Sequence, residues 1–213
     1  MEEIVNKTLE YVKTKLENDS SGHDFWHIYR VWKNAINIAK DEKVDILVIE
    51  LAAILHDLGD YKLNNGVELG SKPAREWLEK NNIDEKIIID ISHIIDNMSF
   101  SKMDDAKELS FEGKIVQDAD RLDGIGAIGI ARCFAYGGKT GSIIFNPNIE
   151  PNLNLSKEEY KKNGRPSLNH FHEKLLLLKD KMNTESGKKI AQERHNYLEN
   201  FIKQFHEEWE GNK

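Results

Sequence analysis

"LAAILHDLGD", residues 51–60, is the stretch whose reading decides the fold. Leu51 to Leu55 is an uninterrupted apolar run, as in a helix at the centre of a core, yet it ends on His56 and Asp57. Burying an unpaired carboxylate costs several kcal/mol, roughly, unless a metal or a cation offsets the charge. A partner for Asp57 is therefore to be sought elsewhere in the chain.

Extended backwards, the run predicts a helix from about 45 to 57 that is apolar nearly all round, and so central. Ile46, Ile49 and Ala53 precede His56 by ten, seven and three residues, which sets His56 on their stripe. Asp57 follows Ala53 by four residues and shares part of that face. Taken alone, the pair reads equally as a helix end with a hydrogen-bonded histidine and a solvent-facing aspartate.

Helical periodicity governs the flanks as well. Ile4, Val5, Leu9, Val12 and Leu16 form one stripe over 3–17. "NDSSGHD" then breaks the pattern, and Ser21 or Asp24 can cap a helix over about 25–40. "GDYKLNNG" reads as a loop, followed by helices near 71–81 and 84–97. Residues 110–136 read as one long or broken helical region, with Gly124, Gly126 and Gly129 permitting close contacts. The segment 136–167 holds three of the four prolines and reads as an irregular surface loop or flap. Helices over about 168–182 and 184–209 close the chain, within a C-terminal portion 168–213. No strand pairs, repeats or low-complexity tracts are evident, so the expected class is all-α, a single domain over residues 1–213.

Composition narrows the function. Thirty basic against 37 acidic residues, a net charge of −7, argue against generic nucleic-acid binding but admit a small anion held by local cations. A lone cysteine, Cys133, precludes an intrachain disulfide or a thiolate zinc cluster. The N-terminal helix is too charged for a signal peptide, and no apolar run approaches the ~20 residues of a membrane span. A soluble cytoplasmic protein with no membrane partner is expected. Its oligomeric state is not legible, and a homodimer is compatible with it.

Two further segments offer chemistry. In "SGHDFWHIYRVWKNA" (21–35), His27 shares a face with Val31 and Asn34, and Arg30 lies three residues on. In "KIVQDADRLDGIGAIGIAR" (114–132), spacing from Ile115 and Leu122 favours Asp118, while Asp120 shares a side with Val116. Each segment alone reads as satisfied core histidines or a solvated acidic face. Together, two histidines and two aspartates near apolar helical faces make an N₂O₂ set suited to a borderline divalent ion.

The order His27, His56-Asp57, Asp118, within "GHDFWHIYRV", "LAAILHDLGD" and "VQDADRLDGIGAIGIAR", resembles the HD-domain phosphohydrolase superfamily. The C-terminal "HFHEKLLLLKDKMNTESGKKIAQERHNYLENFIKQF" is similar to the small bacterial metal-dependent branch of that superfamily. The resemblance implies an HD-type helical bundle with one divalent metal held by His27, His56, Asp57 and Asp118. Manganese, nickel, cobalt, iron, zinc and magnesium all occur across the superfamily. It further implies hydrolysis of a phosphoester or phosphoanhydride in a small phosphorylated metabolite, foremost a nucleotide, as a triphosphate pyrophosphohydrolase or a nucleotidase. The alternative is a regulatory module that senses a nucleotide in the same pocket without hydrolysing it. Dinuclear members use extra histidines between the HD pair and the last aspartate. Only His93 lies in that interval, which favours one metal.

The remaining roles follow from what phosphate hydrolysis needs. Asp60, three residues after Asp57, is the candidate for orienting or deprotonating water. Arg30, Lys62, Arg121 and His93 are candidates for binding substrate, Arg132 also falls beside the motifs, and Lys102 is a weaker alternative. "CFAYGGKTG" is rejected as a phosphate loop because Cys133 occupies its first position and a helix precedes it. His170 and His172 point about 200° apart on a helix and are read as packing residues.

Overall fold

The computed structural model describes residues 2–16, 24–61, 63–64, 66–99, 107–153 and 164–213. Among these residues every regular element is a helix, so the chain is all-α as its periodicity predicts. None of these helices is long and apolar enough to cross a membrane. Contacts divide the chain into two compact units, residues 1–120 and 121–213, with the boundary inside a helix rather than at a linker.

The first unit is organised around α3 (Ile46–Leu55), which packs against α1 (Glu2–Leu16), α2 (Phe25–Ala39) and α5 (Glu85–Asn97). Asp45 starts α3 by accepting the backbone N–H groups of Leu47 and Val48. From Val48 to Leu55 every side chain except Glu50 is buried. At roughly 1.5–3 kcal/mol for each fully buried Leu or Ile, burial rather than propensity sets the position of this helix. Glu50 avoids an orphaned charge by accepting the Trp32 indole N–H at 3.1 Å.

Around that centre, Asp24 caps α2 through the His27 N–H, as one of the two expected caps. Tyr11 of α1 stacks on Trp77 of α4 (Lys72–Lys80) at 3.8 Å, and the Trp77 indole donates to Thr8. α6 (Phe111–Asp123) is held to α2 by the Asn34 amide on the Ala119 carbonyl. Its Gln117 donates to the Met98 carbonyl at 2.8 Å. These bonds tie α6 to α2 and to the end of α5.

In the second unit, the region expected as one long or broken helix breaks after Asp123. Ile125 is extended, and α7 (Gly126–Thr140) starts anew. A Cβ on Gly129 would lie 2.2 Å from the Gly124 carbonyl oxygen, so the break needs glycine at 129. The segment expected as irregular from 136 begins helically, because α7 runs on to Thr140. Beyond it, Ser167 and Leu168 donate to the carbonyls of Ile143 and Ile144. Much of the expected flap, residues 154–163, lies outside the described residues.

The helix expected over 168–182 is two pieces. α8 (Asn169–Glu173) stops at Lys174, whose φ of −145° leaves the helical region, and a 3₁₀ turn, Leu175–Lys181, follows. Both pack with α9 (Glu185–Trp209), where Phe171 stacks on Phe201 and Phe134 leans on both.

Candidate metal centre

The turn after α3 is where the apolar run meets its polar ending. His56 is the C-cap of α3 and keeps helical angles, while Leu58 and Asp60 donate back to the carbonyls of Leu55 and Asp57. The Asn64 amide donates to the Leu58 and Asp60 carbonyls at 2.9 Å each, so the turn is bonded almost throughout.

His27, His56 and Asp57 converge from α2 and this turn. Each offers a ligand atom within 4.8 Å of the others. The His27 Nε2 lies 3.4 Å from Asp57 Oδ2, and the His56 Nε2 lies 3.3 Å from Asp57 Oδ1. The two imidazoles meet edge to face, their centroids 5.4 Å apart.

The His56 ring reports its own protonation pattern. Its Nδ1 stands 2.9 Å from the Ala53 carbonyl, which can only accept, so Nδ1 carries the proton. In the neutral ring Nε2 then carries the lone pair, and it is buried with no hydrogen-bond partner among the described residues. A buried acceptor without a donor is costly, and the arrangement is that of a metal-ligating histidine oriented by a backbone carbonyl. With His27 and a carboxylate beside it, the donor set fits a divalent cation of intermediate softness.

Asp118, expected as the fourth ligand, is fully buried on α6. Asp120 borders the cluster, with its Oδ1 3.5 Å from His27 Nε2 and 3.9 Å from His56 Nε2. Residues two apart on a helix point about 200° from one another. Asp118 is fully buried, whereas Asp120 is partly open to solvent.

Asp60 closes the turn three residues after Asp57, with its N–H on the Asp57 carbonyl. Arg30 is half-buried on α2, one turn from His27. Lys62 and Lys102 lie outside the described residues. His93 sets its Nε2 2.9 Å from the Glu108 carbonyl and faces the Asn97 amide with Nδ1, so it pins the segment leading into α6. Arg121, expected on substrate, donates to the Lys181 carbonyl within the second unit. Arg132 pairs with the buried Asp123 at 2.8 Å. Both arginines thus have work in holding the second unit together.

Comparison with known proteins identifies the family. The family profile described as HD domain matches residues 25–125, the interval from the start of α2 to just past α6. YpgQ of Bacillus subtilis (strain 168) is 38% identical over 203 residues, covering 94% of this chain and 91% of YpgQ. A crystal structure of YpgQ in complex with ADP superposes with a TM-score of 0.76, at 33% identity over 96% of this chain and 97% of that one. An HD-superfamily hydrolase from Bacillus thuringiensis is 46% identical with a TM-score of 0.77, each chain being covered to 98%. A Lactobacillus plantarum protein superposes with a TM-score of 0.84 at 38% identity over 99% of both chains. With a histidine on α2, an HD pair ending α3 and an aspartate on α6 beside them, this chain belongs to the HD-domain superfamily.

Proposed function

We propose that this protein is a divalent-metal-dependent phosphohydrolase acting on a small phosphorylated metabolite, foremost a nucleotide. The observation that carries the reading is the bare, buried Nε2 of His56 facing His27, Asp57 and Asp120. We assign His27, His56, Asp57 and Asp120 as the residues that hold one metal ion. A divalent ion bound there supplies charge neutralisation for phosphate and lowers the pKa of bound water.

This chain's own residues do the rest. Asp60, next in the turn, orients water or accepts its proton, and Arg30 contributes positive charge toward phosphate. The nucleotide class is supported by the ADP complex of YpgQ and by the chemistry of the donor set.

The test is a panel of nucleotides and phosphomonoesters with manganese, nickel, cobalt, iron, zinc and magnesium, separating phosphate from pyrophosphate as product. His27→Ala and Asp57→Ala are expected to lose metal content and turnover together. Tight nucleotide binding without phosphate release would instead assign a sensing module to the same pocket.

A further inference from the structure

The turn that carries Asp57 is braced from outside as well as from within. Gly59 offers its carbonyl to the Leu69 N–H at 2.9 Å. Its Cα approaches the next residue so closely that a Cβ there would lie 1.9 Å from the Gly70 carbonyl oxygen. Residues 69–71 are therefore a strap pressed against the backbone between Asp57 and Asp60.

Val67, Glu68 and Leu69 are exposed, and Gly70 sits at φ +57°. Ser71, at the start of α4, makes no side-chain cap to its own helix. What anchors it is Asp96, near the end of α5. One carboxylate oxygen accepts the Ser71 N–H at 2.8 Å, and the other accepts the Ser71 hydroxyl at 2.8 Å. The carboxylate also stands at the N-terminus of α4, where negative charge is favoured. Gly70 has room only for hydrogen beside it, since a Cβ would lie 2.7 Å from Asp96 Oδ1.

We propose that Asp96 is a positioning residue for the metal-binding turn, acting through the Gly70–Ser71 strap on Gly59. This inference rests on the metal reading above. Asp96 ties the turn to α5, which packs on α3, so the ends of the turn share one rigid frame. Groups that orient ligands without touching the metal commonly change affinity 10–100-fold, and Asp96, being one step further removed, belongs near the lower end.

The experiment is calorimetric titration of Mn²⁺ into the full chain and its variants, each checked for folding by circular dichroism at the assay temperature. Asp96→Ala is expected to weaken Mn²⁺ binding about tenfold. Asp96→Asn should stay within about threefold of the parent, because its amide can accept from the Ser71 N–H and donate to the Ser71 oxygen. Arg75→Ala, which removes ion pairs with Glu79 and Glu85 but leaves the strap intact, should bind as the parent does.

Parental affinity in Asp96→Ala, or equal loss in Arg75→Ala, would overturn the inference. So would Asp96→Asn binding as weakly as Asp96→Ala, since the effect would then be one of charge. Should Asp96→Ala fail to fold, Ser71→Ala loses only the hydroxyl bond and should weaken binding about threefold, with no loss refuting the role. If the parent chain binds no Mn²⁺, the metal reading falls and this inference falls with it.

Discussion

Replacing Asp120 by Asn separates the metal reading from every other account of the site. Asp57 Oδ2 and Asp120 Oδ1 both lie within 3.5 Å of His27 Nε2, so the two oxygens are at most about 7 Å apart. Two like charges at that distance repel by about 2 kcal/mol at an effective dielectric constant of ~20. Asp120 is 38% exposed, and solvent screening reduces this to about 1 kcal/mol. In the presence of a chelator, Asp120→Asn should therefore be as stable as the parent or up to about 1 kcal/mol more so.

With Mn²⁺ at about a hundred times its dissociation constant, the parent should gain about 2.7 kcal/mol, and Asp120→Asn should gain none. Asp118→Asn gives the contrast. Its fully buried carboxyl group should cost about 1–3 kcal/mol in both conditions while the metal increment persists. Urea unfolding with and without Mn²⁺ reads all of these differences. An intact increment in Asp120→Asn together with its loss in Asp118→Asn would refute the assignment and restore Asp118 as the ligand.

Three other outcomes are expected. Gly59→Ala forces a methyl group to within 1.9 Å of a backbone oxygen and should cost about 3 kcal/mol by urea denaturation, together with Mn²⁺ affinity; a stable variant with parental affinity would refute the close approach. His170 is held down to about 3, first by burial and then by Lys174 and Arg165. An unfolded histidine titrates near 6.5, roughly, so between about pH 3 and 6.5 the unfolded chain binds the extra proton. Stability should therefore fall as the solution is acidified, by at most about 1.4 kcal/mol per pH unit, and His170→Gln should flatten that slope. Equal slopes for parent and variant would remove His170 as the cause. His93→Gln should lose about 1 kcal/mol through its bond to Glu108 while leaving Mn²⁺ affinity and nucleotide KM unchanged; a raised KM at parental stability would return His93 to the substrate pocket.

The legibility of this chain differed between its elements for physical reasons. α3 was readable because an apolar run without polar relief has one stable place, the centre of a helical core. Its polar ending was readable because charge in such a place demands compensation. The cap at Asp24, one of the two candidates, and the phase of α2 followed from local chemistry, which short-range sequence encodes. α6 was different. Ile115, Val116, Asp118, Ala119, Arg121, Leu122 and Asp123 are all buried, so it has no polar face whose period could reveal its rotation. Spacing from Ile115 and Leu122 therefore ranked Asp118 first only weakly, and the approach of Asp120 to His27 and His56 was not legible.

What the sequence by itself determined was the helical class, the central helix and a His–His–Asp set in need of a cation. Each of these follows from period, burial and charge within a few turns of chain. That Asp120 comes within 3.5 Å of His27 Nε2, that His93 and Arg121 meet backbone carbonyls, and that Asp96 reaches the turn after α3 through Ser71 were decided only in three dimensions. Those outcomes depend on hydrogen bonds between residues fifteen to eighty-five positions apart, such as Asn34 to Ala119, and no local pattern specifies such a bond.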